Sequence, residues 1–286
     1  HFASLAKRTQ ADYRKVLDYV LPLRLMPPLE FNRAFVVKLR DKARREKGRS
    51  FSNYLIAVLS AMFAWAIEQQ AATENPVTGV KKAKRDKNAL RANRPWAKEE
   101  WEAVIREAPH HIRAVLYALG VLGWRGGEAV AAVRRQWDQE AGTIHRKAAK
   151  SGKNVKTPVP GALARDLKKM LPHNATSLFV SSKKRPWTEN GFRASWQKLR
   201  DRLELDGKVA SGLTLHGLRH TCATRMREAG YDARTIADML GQETEGMALP
   251  YSRAADPAAQ LRGVLKSVAK LRKVCHYQCL STYVQL

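Results

Sequence analysis

Apolar residues recur at helical spacing through the first quarter of the chain, in three runs separated by residues that end helices. The first run ends near Pro22 and the second near Gly48. Ser50 is placed to cap the third run, which Pro76 terminates. The apolar positions are Leu5, Tyr13, Val16, Leu17 and Val20, then Phe31, Ala34, Phe35, Val37 and Leu39, then Phe51, Tyr54, Leu55, Val58, Leu59, Met62, Phe63 and Ile67. The pattern predicts an all-helical domain over residues 1–80.

Helical patterns return after Pro95 and are interrupted once, by a β-like stretch. Residues 143–145 and 155–159 are typical of short strands, and the turn-rich sequence between them predicts a hairpin with Lys150 near its tip. The helical patterns cover about 96–108, 112–122, 127–134, 162–170, 189–203, 217–229, 233–240 and 257–271. The predicted fold class is therefore mainly α with a small β-sheet: an α+β domain over residues 96–274 follows the helical domain and precedes a tail, 275–286.

A basic segment, residues 81–95, separates the two predicted domains. It contains Lys81, Lys82, Lys84, Arg85, Lys87, Arg91 and Arg94 and a single acid, Asp86. We interpret it as a linker, either a solvated hinge or a strap that lies along phosphates between the domains.

The net charge of the chain predicts the kind of partner that it binds. The chain of 286 residues has 52 Lys and Arg against 26 Asp and Glu, a net charge of +26. Residues 1–95 contribute 20 basic and 8 acidic side chains, a net charge of +12. Residues 96–286 contribute 32 basic and 18 acidic side chains, a net charge of +14. Both parts are therefore predicted to face one polyanion. Double-stranded DNA is the commonest such partner, and composition alone fits RNA equally well.

Other classes of protein are excluded. With 44% hydrophobic residues the chain is rich enough for packed cores, and its apolar runs, such as 55–67, fall short of the roughly 18–20 residues that span a bilayer. We expect no membrane segment and no signal peptide, and leave open a further domain upstream of His1. Three cysteines, an odd number, favour the reducing cytoplasm. Cys275 and Cys279 flank His276 but lack the fourth ligand of a zinc site, so no metal is expected.

Candidate chemistry begins with His216 and Arg219, which stand three apart, so that both can reach one phosphate from a single helical turn. The same pair recurs at His110 and Arg113, which makes it a weak signal alone.

The surrounding motifs strengthen it. Arg125 lies in GWRGGE (residues 123–128), Lys150 in the predicted hairpin, His216 and Arg219 in LHGLRHTCATR (residues 215–225), and Tyr251 follows Leu240-Gly241-Gln242. In this order the sequence resembles the tyrosine recombinase, or phage integrase, family over essentially its whole length. The resemblance implies a core-binding helical domain, a catalytic domain, and DNA cleavage and rejoining through a 3′-phosphotyrosyl intermediate. It also implies a homo-tetramer on synapsed DNA.

The chemistry of these residue types agrees with that resemblance. Two guanidiniums, on Arg125 and Arg219, can clamp the oxygens of a phosphodiester transition state, so neither a metal nor another cofactor is required. Tyr251 is the candidate nucleophile, with Tyr277 and Tyr283 as alternatives. Lys150, or else Lys153 or Lys156, would protonate the leaving 5′-oxygen. His216 would contact the phosphate or assist the tyrosine, and Glu128 would orient Arg125.

Two positions depart from the family pattern. Gln242 stands where the family usually has His or Trp; it can donate a hydrogen bond to phosphate but cannot act as a charged acid. Pro250 fixes the backbone directly before Tyr251. These two departures leave open the alternative that the chain is a catalytically impaired DNA-binding protein. A type IB topoisomerase is a second alternative. The leading hypothesis is a cytoplasmic site-specific recombinase that acts on attachment-type sites in DNA, with accessory DNA-bending proteins as further partners.

Overall fold

The computed structural model describes residues 2–27, 30–86, 92–148, 152–170, 173–258 and 261–262. The chain divides into two compact units, residues 1–90 and 91–286. The predicted linker spans this division, and the predicted domain boundaries stay a prediction. The predicted tail 275–286, with its cysteines and tyrosines, and most of the predicted helix 257–271 lie outside the described residues.

The first unit is built from helices α1 (Lys7–Val20), α2 (Arg33–Lys47) and α3 (Arg49–Glu68). Its buried side chains lie at helical spacing: Val16, Val36, Leu39, Ala43, Leu55, Ile56, Val58, Leu59 and Val77. Gly48, at φ +86°, turns the chain directly from α2 into α3. The prediction that Ser50 caps α3 is wrong: Gly48 occupies the cap position, and Ser50 lies inside the helix.

Helix α3 ends at Glu68, before Pro76, the residue expected to terminate the third run. By length and composition alone, its 20 residues are enough to cross a membrane. In the structure it packs against α1 and α2 and supplies Leu55, Val58 and Leu59 to their shared core. We therefore regard it as the central helix of the unit.

Residues 81–86 have no regular secondary structure and are bound to the first unit through their backbone. Arg40 donates to the carbonyl oxygen of Lys81 at 2.6 Å. Asn53 accepts from the Ala83 N–H at 2.7 Å and donates to its carbonyl oxygen at 3.2 Å. These hydrogen bonds hold the segment against the helices. The side chain of Ala83 is buried, while those of Lys82 and Lys84 on either side of it are exposed.

The second unit surrounds α5, which is buried along almost its whole length and packs against helices on several sides. Its helices are α4 (Lys98–Glu107), α5 (His110–Gly120), α6 (Gly126–Val130), α7 (Gly161–Met170), α8 (Glu189–Leu205), α9 (Leu215–Glu228), α10 (Ala233–Leu240) and α11 (Glu245–Ala248).

The sheet is antiparallel with strand order β1-β2-β3: β1 (Trp137–Asp138), β2 (Thr143–Lys147) and β3 (Asn154–Pro158). The hairpin of β2 and β3 agrees with the prediction, and β1 is a strand that the sequence did not reveal. In the pairing of β2 with β3, Ile144 lies opposite Thr157 and Arg146 lies opposite Val155.

One predicted helix, 127–134, is shorter than expected and ends at Val130. Beyond it the backbone bonds to a neighbouring segment: Arg134 donates to the Thr176 carbonyl and Leu178 donates to the Ala132 carbonyl, both at 2.8 Å. These bonds satisfy the backbone groups that a longer α6 would have used.

Candidate active site

The carboxyl end of α10 organises the site, because the last carbonyl oxygens of a helix lack partners within the helix. Gly241 adopts φ +63° and closes the helix, its N–H reaching the carbonyls of Ala237 and Asp238. The two remaining carbonyls accept from arginines: Leu240 from Arg219 at 2.9 Å and Met239 from Arg146 at 2.9 Å. The negative end of the helix dipole favours both cations.

Helix α9 presents three polar side chains on one face, since His216, Arg219 and His220 are spaced three and four apart. Thr214 caps the helix by accepting from the Gly217 N–H at 2.9 Å. Arg219 is fully buried, and besides Leu240 it donates to the carbonyl oxygen of Gly123. Burial, followed by the neighbouring Arg125, lowers the pKa of Arg219 to about 10, so the guanidinium stays charged at neutral pH.

Arg125 stands at the start of α6 and pairs with Glu128, the residue proposed to orient it. The carboxylate accepts from the Arg125 guanidinium at 2.8 Å and from its backbone N–H at 3.0 Å. Although burial opposes the charge, the hydrogen bonds and arginines around Glu128 lower its pKa, which keeps it ionised.

The same carboxylate also accepts from Arg146, at 2.8 Å. Arg146 is 4% exposed and lies 5.7 Å from the ring of Trp124. Sequence reasoning missed this residue. Its signal is the period of two along β2, which puts Arg146 on the same inward face as the buried Ile144.

Tyr251 lies in a short 3-10 turn, Leu249–Tyr251, after α11. Its ring meets the polar face of α9: the centroid lies 4.5 Å from that of His220 and 5.7 Å from that of His216. The Arg219 guanidinium lies 5.2 Å from the same ring. The structure thus brings Arg125, His216, Arg219 and Tyr251 into one cluster, and adds His220, which the sequence had not singled out.

Two of the three predicted lysines, Lys153 and Lys156, lie on or beside strand β3 of the hairpin. Lys150 lies outside the described residues. Lys153 forms an ion pair with Asp238 on α10. Hydrogen bonds from Arg234 and then from Lys153 lower the pKa of Asp238 to about 2. Lys156 is exposed on β3.

Gln242 follows the turn at Gly241 and is 2% exposed. Its side-chain oxygen has no hydrogen-bond partner among the described residues, so a buried acceptor of this amide is unsatisfied.

The basic residues of the predicted linker differ in their surroundings. Four of those predicted to bind DNA, Lys81, Lys82, Lys84 and Arg85, are exposed. Arg94 makes a two-pronged pair with Glu100, at 2.8 and 2.6 Å, which ties it to α4. Lys87 and Arg91 lie outside the described residues.

The competing pair at His110 and Arg113 has a structural role. Arg113 binds Asp166 through two hydrogen bonds, of 2.7 and 2.6 Å, and so joins α5 to α7. Within the described residues, no group of three or more His, Cys, Asp or Glu side chains is placed to hold a metal ion.

Comparison with known proteins identifies the family. The profile of the phage integrase family matches residues 97–257, more than half of the chain. The chain belongs to the phage integrase family. This membership confirms the predicted family, the mainly α fold with a small sheet, and the class of enzyme, a tyrosine recombinase that cleaves and rejoins DNA.

Members of the phage integrase family resemble the chain over most of its length. The tyrosine recombinase XerC of Roseiflexus castenholzii is 26% identical over 258 residues, 81% of this chain and 79% of that protein. The fold resembles a Tn1549 transposon integrase in complex with a circular intermediate DNA, with TM-score 0.75, 16% identity and coverage of 92% and 95%. It also resembles a lambda integrase dimer bound to a COC′ core site, with TM-score 0.71, 19% identity and coverage of 89% and 74%.

Proposed function

We propose that the chain cuts and rejoins DNA with Tyr251 as the nucleophile, at a phosphate held by Arg125 and Arg219. The observation that carries this proposal is the meeting of the Tyr251 ring with the polar face of α9, 5.2 Å from the Arg219 guanidinium. The phenol oxygen attacks phosphorus, a 3′-phosphotyrosyl bond forms, and the bond to the 5′-oxygen breaks. The 5′-hydroxyl of the partner strand then reverses the step and regenerates the free tyrosine.

The clamp supplies the electrostatic part of catalysis. Attack concentrates negative charge on the non-bridging oxygens, and donors fixed before the reaction stabilise that charge most. Arg219 is fixed by two carbonyl oxygens and Arg125 by Glu128. The ester retains the bond energy, so the proposed reaction uses neither ATP nor a metal.

Two further groups complete the proposed proton transfers. His216, whose ring centroid is 5.7 Å from that of Tyr251, contacts the phosphate or takes the phenol proton. Lys150 gives a proton to the leaving 5′-oxygen, with Lys153 and Lys156 as the alternatives. Gln242 would donate a hydrogen bond to the phosphate.

The proposed substrate is double-stranded DNA carrying attachment-type sites, bound by a homo-tetramer at synapsis in the cytoplasm, with DNA-bending proteins as accessories. The positive charge of both units and the exposed Lys81, Lys82, Lys84 and Arg85 support contact with phosphates. Two structures of similar fold support the proposed assembly: a lambda integrase dimer bound to a COC′ core site and a lambda integrase tetramer bound to a Holliday junction.

The experiment starts from randomly nicked genomic fragments of the source organism, because a nick beside the cleavage point traps the covalent complex. Adducts that survive detergent are retained on filters, and their ends are sequenced to define the site. Strand exchange is then measured between two labelled duplexes carrying it. Wild type and Tyr231→Phe, which changes an exposed tyrosine of the same unit, should form adduct and recombinant, and Tyr251→Phe neither. No adduct with wild type, or an undiminished one with Tyr251→Phe, would refute the proposal.

The same preparation separates recombinase from type IB topoisomerase. A recombinase needs its site and a partner duplex, whereas a topoisomerase relaxes any supercoiled plasmid. We expect no relaxation of a plasmid that lacks the recovered site; rapid relaxation of that plasmid without strand exchange would favour the topoisomerase.

A further inference from the structure

Arg146 is a buried cation that the proposed reaction does not use. It is 4% exposed on the inward face of β2, where an apolar side chain would pack at lower cost in desolvation. Its two terminal nitrogens bind Glu128 and the Met239 carbonyl, both within 2.9 Å. Burial lowers its pKa, and the adjacent Glu128 opposes that shift.

The position of Glu128 explains why a second arginine is useful. Glu128 orients Arg125, but a carboxylate 2.8 Å from a guanidinium also cancels much of the charge that the guanidinium offers to a phosphate. Arg146 binds the other carboxylate oxygen at 2.8 Å. With Arg219, these four groups carry three positive charges and one negative, so the cluster keeps a net excess of two.

We propose that Arg146 is a positioning residue that neutralises Glu128, so that Arg125 is held in place by the carboxylate and yet keeps its charge for the scissile phosphate. Arg146 itself does not touch DNA in this proposal. The inference rests on the proposed role of Arg125, and it assigns to β2 a function in charge balance.

The contacts predict a particular kinetic signature. Removing one fixed donor from an oxyanion site lowers a rate by about 10²–10³, and we expect partial cancellation of the Arg125 charge to lower it about tenfold. Arg146→Met should therefore slow single-turnover cleavage about tenfold at saturating DNA. Affinity for the duplex should change less than about threefold, because a buried side chain releases no counterions.

The test is a double-mutant cycle on the nicked duplex, with wild type, Arg146→Met, Glu128→Gln and the double variant. Arg135→Met, an exposed arginine of the same unit, is the matched control and should cleave like wild type. Once Glu128 is neutral, Arg146 has no charge to balance. The double variant should therefore cleave within about threefold of Glu128→Gln.

Three outcomes would overturn the inference: Arg146→Met cleaving at the wild-type rate, the double variant cleaving about tenfold slower than Glu128→Gln, or Arg146→Met losing affinity in parallel with rate. If Arg146→Met does not fold, the comparison of the double variant with Glu128→Gln still decides, since exchanging a buried ion pair for neutral side chains is often tolerated. Failure of wild type to form adduct would instead refute the proposed function.

Discussion

Gly123 is the position at which one methyl group should disturb both stability and catalysis. Its φ is +65°, and a Cβ atom there would lie 2.5 Å from Cδ2 of Leu240 and 3.3 Å from Sγ of Cys222. Leu240 is fully buried and cannot move into solvent. The carbonyl oxygen of Gly123 accepts from Arg219, so a shift of this backbone also moves a proposed catalytic arginine.

The expected cost of Gly123→Ala has two parts. Holding alanine in the left-handed region costs about 1–2 kcal/mol, and overpacking a tight core costs about 1–3 kcal/mol more. Gly142 separates them, because its φ is +61° but no atom lies within 4 Å of an added Cβ. Gly142→Ala should therefore cost only the first part, about 1–2 kcal/mol.

Urea unfolding of wild type and both variants measures these costs, and the adduct assay measures the consequence for the site. We expect Gly123→Ala to be less stable than Gly142→Ala by about 1–3 kcal/mol and to cleave at least tenfold more slowly, while Gly142→Ala cleaves like wild type. Equal destabilisation would refute the steric reasoning. Full activity in Gly123→Ala would refute the role of its carbonyl in fixing Arg219.

Three further predictions concern the second unit. Arg113→Met leaves the carboxylate of Asp166, which is 4% exposed, without its partner, so the free energy of unfolding measured in urea should fall by about 3–5 kcal/mol; a fall below about 1 kcal/mol would contradict this. The hydrogen bond from Arg94 is the main cause that lowers the pKa of Glu100 in the folded protein. The ionised Glu100 therefore stabilises the fold at pH values above the pKa of an unfolded glutamate, and this stabilisation is lost as the pH falls through the lowered pKa. Wild type should therefore lose more stability between pH 7 and pH 3 than Glu100→Gln, and equal losses would refute the assignment. Burial raises the pKa of the Cys222 thiol to about 11, so with the other two cysteines replaced by serine, a disulfide reagent at pH 8 should label the chain only after unfolding.

The sequence predicted those parts of the site that depend on local spacing. His216 and Arg219 share a helical face because they are three residues apart, and Glu128 reaches Arg125 for the same reason. What the sequence could not provide was tertiary contact. The pairing of Arg146 with Glu128 depends on how β2 packs against α6, and alternation along a five-residue strand gives only its direction.

The ends of two helices also differ from those that the sequence predicts. Ser50 has the composition of a helix cap, but Gly48 can adopt φ +86° and join α2 to α3 without an intervening turn. The helix beginning at Gly126 ends early because a distant segment, near Thr176, binds the backbone that follows Val130. Tertiary contact outweighed local propensity after α6, whereas at Gly48 the conformational freedom of glycine set the start of α3.

Locating the modified residue shows whether Tyr251 carries the covalent bond to DNA. Adduct formed with the nicked duplex is treated with nuclease and trypsin, and the peptide that retains a nucleotide is sequenced by mass spectrometry. Cleavage after Arg234 and Arg253 gives a peptide of residues 235–253 that contains Tyr251, while Tyr277 and Tyr283 both fall in residues 274–286. We expect the nucleotide on Tyr251 within 235–253; a nucleotide on the 274–286 peptide would rule out Tyr251 as the nucleophile.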